Sequence, residues 1–187
     1  MRYYPLPVSV AIVAGAASAA ALVPTAVFAT DYMSAPDAQK LMFPEATAFV
    51  PQPVVLTPDK MKEIAAHAGG VINSVSWKVF AAMQGETVLG YVVTDAVIGK
   101  FQLINYAVAF GTDGAIKDVE ILSYREEHGG EVRTKAWRRQ FFGKTASAPL
   151  RIGNDIDNIS GATLSCTHLT DGIRRIASFV QLVLVKH

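Results

Sequence analysis

Apolar residues near the end of the chain recur at helical spacing: Leu169, Ile173, Ile176, Val180 and Leu184 stand on one face. Upstream the rhythm changes. Ser76 to Met83 partly alternates, Gln84-Gly85-Glu86 is a turn, and Thr87 to Asp95 is rich in Val and Tyr; together they predict a hairpin. Gly99 breaks the pattern, and Gln102 to Phe110 follows as a third strand. After the turn Gly111-Thr112-Asp113-Gly114, Ile116 to Ser123 returns as a fourth. Strands joined by short turns imply an antiparallel sheet. Thr57-Pro58-Asp59 opens a helix that runs to about His67 and stops at Gly69-Gly70. Its apolar residues are small (Met61, Ile64, Ala65, Ala68), which predicts packing on a sheet. A short helix is expected from Lys135 to Phe142, with Trp137, Phe141 and Phe142 facing in and Gly143 ending it. Residues 30–56 read as an irregular lead-in. They hold one short helix over Asp37 to Phe43, and Pro44, Pro51 and Pro53 keep the rest irregular or extended. The fold class is α+β: a twisted antiparallel sheet flanked by helices, closed by a C-terminal helix. The main domain is expected over residues 57–187.

Composition narrows the classes of function. The chain has 187 residues, enough for one domain and a leader. Residues 1–29 hold one of the 17 Lys and Arg residues, Arg2, so the remaining 16 balance the 16 acidic residues. A neutral body argues against nucleic acid as a partner, because phosphate neutralisation needs clustered cations. The single cysteine, Cys166, excludes an internal disulfide, a Cys-x-x-Cys-His haem site and a four-cysteine cluster within one chain. Any redox centre is therefore expected to be organic. Arg2 precedes an uncharged apolar run from Val8 to Ala29, ending in Val27-Phe28-Ala29. That pattern reads as a secretory signal peptide with cleavage before Thr30. Its length also reaches the roughly 20 residues that span a bilayer. Residues 1–29 are thus a signal peptide or an N-terminal membrane anchor through residues 8–29, and either puts the body outside the cytoplasm.

The stretch Asp157-Asn158-Ile159-Ser160-Gly161-Ala162-Thr163-Leu164-Ser165 leads into the last helix. Gly161 permits a sharp turn and close approach to a ligand. Asp157, Ser160 and Thr163 carry short oxygen-bearing side chains of the kind that cap a helix. A turn feeding the positive end of a helix suits an anionic group, and the plain alternative is a capped helix and nothing more. The string Asp-x-x-Ser-Gly-Ala-Thr resembles the attachment signature of the FMN-binding domain family. That family includes the flavin-carrying subunits of the sodium-pumping quinone reductase and its ferredoxin-linked relative. The resemblance implies that a flavin transferase moves FMN from FAD onto Thr163 as a phosphoester. Asp157, Ser160, Gly161 and Ala162 would complete its recognition sequence, with Leu164 and Ser165 beside it. A phosphodiester there would place one negative charge in the first turn of a helix, within reach of the amides near Thr163 to Ser165.

The resemblance extends from about Thr57 to His187. Gly111 to Leu122 looks like the family's strand, turn, strand unit. Tyr124-Arg125-Glu126-Glu127-His128-Gly129-Gly130-Glu131 stands where relatives commonly have a Glu and a Gly-containing loop beside the flavin. The pump subunits usually read Glu-Thr-Pro-Gly there; this chain reads Glu-His-Gly-Gly, a departure that suggests a different branch. Glu127, His128, Gly129 and Gly130 are the candidate cofactor contacts in this loop, with proton transfer open to the acidic and His members. Glu126 and Glu131 read as solvated. Cys166 and His168 do not share a helical face, so a metal role is not expected, and Cys166 reads as a small packing residue. Trp77, Trp137, Phe141 and Phe142 read as core, Arg138-Arg139 as a solvated face, and His67 as a helix-end residue.

The resemblance implies an exported flavoprotein that carries FMN covalently and passes electrons between envelope redox proteins or a membrane quinone-linked complex. Its place is the periplasm or the extracytoplasmic face of the inner membrane, where many of the pump relatives keep an N-terminal anchor. No paired acid and base and no nucleophile with His stands out for substrate chemistry. The alternatives are a flavin-dependent reductase of a small extracellular acceptor and a non-flavinylated accessory subunit of a membrane complex.

Overall fold

The computed structural model describes residues 30–72, 76–126 and 129–185. The expected leader lies outside them, as do Glu127, His128 and His187. Six strands form one antiparallel sheet: β1 (Thr30–Asp31), β2 (Ala48–Pro51), β3 (Lys78–Gln84), β4 (Thr87–Ile98), β5 (Leu103–Gly111) and β6 (Ile116–Tyr124). Their order is β1-β6-β5-β4-β3-β2, so the four long strands follow one another as a meander. The short lead-in strands close the two edges: β1 pairs with β6, and β2 pairs with β3. Residues 30–56 are thus more ordered than the run of prolines suggests.

Helices cover both faces. On one side lie α2 (Pro58–Ala68) and the long α4 (Thr163–Phe179); on the other lies α1 (Ala35–Met42). The split follows the pleat, in which successive side chains point to opposite faces. On β5, Ile104, Tyr106, Val108 and Phe110 join the large core with Leu169, Ile173 and Ile176 of α4. The intervening Ala107 and Ala109 join a smaller core with Ala38, Met42 and Phe43. The large residues thus face two helices, and the small ones let α1 approach.

The expected elements formed, with local differences. Thr57 accepts from the Lys60 N–H at the start of α2, and Gly69, with φ +66°, ends it. His67 Nδ1 meets Ser178 Oγ at 3.1 Å and Arg174 Nε donates to the Ala68 carbonyl at 2.7 Å, so α2 is tied to α4 as well as to the sheet. The segment after Thr134 is one α-turn, α3 (Lys135–Arg138), tightened to 3₁₀ geometry over Arg139–Phe141. Trp137 and Phe141 are buried, but Phe142 is 70 % exposed. The tight turn spoils the helical period, and Phe142 already has extended backbone as the residue that ends it. Arg138 is also no solvated cation. Its guanidinium is nearly buried, ion-paired with Glu120 and bonded to the Val119 carbonyl. After Phe179 the chain makes a π-turn over Val180–Leu184, which leaves Leu184 only half-buried.

Candidate functional site

The Asp157 to Ser165 stretch is held from behind by the sheet-side helical segment. Trp137 Nε1 donates to the Asp157 carbonyl at 2.8 Å, and the Asp157 N–H donates to Gln140 Oε1 at 2.8 Å. The chain then turns: Gly161 has φ +83°, and the Ala162 N–H donates to the Ile159 carbonyl at 3.0 Å. Helix α4 begins at Thr163, with Ala162 before it as the capping residue. The expected capping by Asp157, Ser160 or Thr163 is not what the structure shows, because no side chain caps this helix. Ala162 holds the position, and its methyl is buried. The N–H groups of Thr163, Leu164 and Ser165 have no acceptor among the described residues. An uncapped helix start of this kind presents donors and the positive end of the macrodipole to an anion.

The three hydroxyls of the stretch have different surroundings. Ser160 is exposed in the turn, ahead of the helix. Thr163 is exposed, and its Oγ1 accepts from Asn158 Nδ2 at 3.0 Å. Ser165 is buried, with Oγ 3.0 Å from the Tyr124 hydroxyl. Desolvation raises the pKa of that tyrosine, and the bond from Ser165 opposes the rise only in part. Cys166 is fully buried, and burial pushes its thiol up, away from thiolate chemistry.

A cleft of about 700 Å³ opens over Thr163. One wall is the start of α4, from Gly161 to Ser165; the other is the β4–β5 hairpin tip with Arg125 and Glu126. The lips carry exposed apolar groups, Phe101 at 73 % and Leu164 at 46 %. Lys100 and Arg125 add positive charge to the hairpin side. Glu126 does not act as a solvated loop residue. Its Oε1 accepts the N–H groups of Phe101 at 2.6 Å and Gln102 at 2.8 Å. Desolvation pushes that carboxyl up, but the amides of Gln102, Phe101 and Lys100 together outweigh it and hold the pKa below the usual carboxylate range. From the α4 side, His168 Nδ1 lies 2.6 Å from the Ile98 carbonyl and 2.9 Å from that of Gly99, so this nitrogen donates. The tip is thus pinned through its amides by one residue and through its carbonyls by another.

The glycine loop sits beside this cleft. Gly129 has φ +86°, and a Cβ there would lie 2.6 Å from the Tyr124 hydroxyl and 3.1 Å from the Ala162 methyl. Its bareness therefore serves packing against the turn before α4. Gly129 and Gly130 both line a second opening of about 670 Å³, with Arg133 and Ser160, on the other side of Gly161. Phe101, Lys100 and Gln102 escaped the sequence reading, which saw at Gly99 only a break in a strand. The available signal was a phenylalanine in a hairpin tip, where turn chemistry favours small polar residues.

Residues 99–178 match the family model described as the FMN-binding domain. Over this stretch the chain is similar to an FMN-binding domain. The match begins at the hairpin tip and ends in α4, so it takes in both walls of the cleft. No curated protein matches the chain. The residues of the cleft fit such a group: open amides at a helix start for a phosphate, apolar lips for a ring system, and nearby cations for its polar edge.

Proposed function

We propose that the protein is a flavin-based electron carrier with FMN esterified to Thr163. The observation that carries this reading is an exposed Thr163 hydroxyl at an uncapped helix start, inside a cleft walled by the FMN-binding domain. When bound, FMN supplies one- and two-electron exchange. The chain's own residues do the rest. The amides of α4 would take the phosphate, Phe101 and Leu164 would cover the ring, and Arg125 and Lys100 would favour negative charge beside it. The rigid sheet behind keeps these groups in place, as electron transfer without large rearrangement requires. A flavin transferase is the maturation partner. Redox proteins of the envelope or a quinone-linked membrane complex are the electron partners, on the extracytoplasmic side. Among the described residues no helix is long and apolar enough to cross a membrane.

Intact mass and peptide mapping over residues 154–175 test this reading in protein from its own host. The expected result is a gain of FMN less water on Thr163, absent from Thr163→Val. An unmodified Thr163 would favour the accessory-subunit reading. The same spectrum reports whether residues 1–29 are retained.

A further inference from the structure

Three hydroxyls lie within six residues of one another at the attachment turn, and the family signature alone gives no physical reason why one of them reacts. We infer that Asn158 activates the Thr163 hydroxyl for esterification, while Tyr124 withdraws the Ser165 hydroxyl from competition. This rests on the reading that Thr163 is the FMN-bearing residue.

The geometry separates the candidates. Asn158 Nδ2 donates to Thr163 Oγ1 at 3.0 Å, and both residues are exposed. In the transfer, the bond between Thr163 Oγ1 and the FMN phosphorus forms. The pyrophosphate bond of FAD breaks, AMP leaves with the bridging oxygen, and the hydroxyl proton passes to a base on the transferase. No atom changes oxidation state. As the proton leaves, negative charge grows on Oγ1. A hydrogen bond donated to that oxygen strengthens with the charge, as donors aimed at a developing oxyanion do. Asn158 thus touches the reacting atom, and its amide is uncharged, so it does not repel the incoming diphosphate as a carboxylate would.

Ser165 lacks each of these advantages. Its residue is 4 % exposed, and its Oγ is engaged with the Tyr124 hydroxyl at 3.0 Å. Attack would require both breaking that bond and opening the packing around Cys166 and Leu169. Ser160 is accessible, but it precedes Gly161, lines the second opening and lies outside the helix whose free amides face Thr163.

The test uses the exported body with purified flavin transferase and FAD, and follows incorporation by mass. Asn158→Ala and the similarly sized Asn158→Leu are expected to lower kcat for incorporation at least about tenfold, the equivalent of one lost hydrogen bond, with KM for the protein unchanged. Thermal melting should not move, because Asn158 is exposed. A role in recognition or in shaping the turn would raise KM or lower the melting temperature instead, and that result overturns the inference, as does an unchanged kcat. Thr163→Ala is expected to stay unmodified, and flavin appearing on Ser165 or Ser160 overturns the selection argument. If the unaltered chain itself takes up no FMN, the reading of Thr163 fails, and this inference with it.

Discussion

The body of α4 and its first turn belong to the same helix but are stabilised in opposite ways. In the body, Leu169, Ile173 and Ile176 are fully buried in the large core. Gly172 lets the helix come closer still: a Cβ there would lie 2.2 Å from the buried Tyr106 hydroxyl, which donates to Asp95 at 2.9 Å. The first turn has neither cap nor cover. Thr163 and Leu164 are exposed, and the leading amides are open. Packing several turns away fixes where the helix starts, so the start itself can forgo the usual local stabilisation and keep its donors free. A capping side chain would occupy the amides that an anionic group needs.

Substitutions can break that division at either end. Ile173→Ala should have the largest effect, lowering unfolding free energy by about 2–5 kcal/mol through lost burial and a cavity. Chemical denaturation would show it, and a loss below about 1 kcal/mol would mean that the body of α4 is not the anchor. Gly172→Ala should cost about 1–3 kcal/mol, because the added methyl forces Tyr106 away from Asp95. At the other end the sign reverses. Thr163→Asp should stabilise the unflavinated protein by about 0.3–1 kcal/mol, since a negative charge enters the first turn of an uncapped helix. The gain should shrink in high salt.

The hairpin wall of the cleft gives a pH-dependent version of the same contrast. Because the folded pKa of Glu126 is depressed, its contribution is fully present above the unfolded value of about 4.3. It is lost as pH falls through the lower folded value. Amide exchange at Phe101 and Gln102, corrected for intrinsic rates, should therefore be slow at neutral pH and rise severalfold in the acid range. Glu126→Ala should show the faster rate at every pH. Equal protection in the variant would mean that another group holds the tip.

Much of this was readable along the chain. The period-two runs between Ser76 and Ser123 and the turns that join them located the four long strands, because local turn geometry fixes antiparallel pairing between neighbours. The α4 face from Leu169 to Val180 was readable for the same reason: a period is a property of consecutive residues. Thr163 was singled out because a contiguous string carries the signature. What lay beyond reach was non-local. The edge strands β1 and β2 depend on partners far along the chain. The exposure of Phe142 depends on a switch to 3₁₀ geometry, and the burial of Arg138 on a Glu120 partner in another element. The places of Phe101 and Glu126 beside Thr163 exist only because the β4–β5 hairpin stands across the cleft from the start of α4. The sequence by itself determined the kinds of element, their order and the side-chain chemistry available in the turn before α4, since these follow from backbone periodicity and side-chain type. Only the tertiary structure decided which of the three hydroxyls is buried, which groups wall the cleft over Thr163 and which carboxylate pins the hairpin, since those depend on burial and on distances between residues remote in the chain.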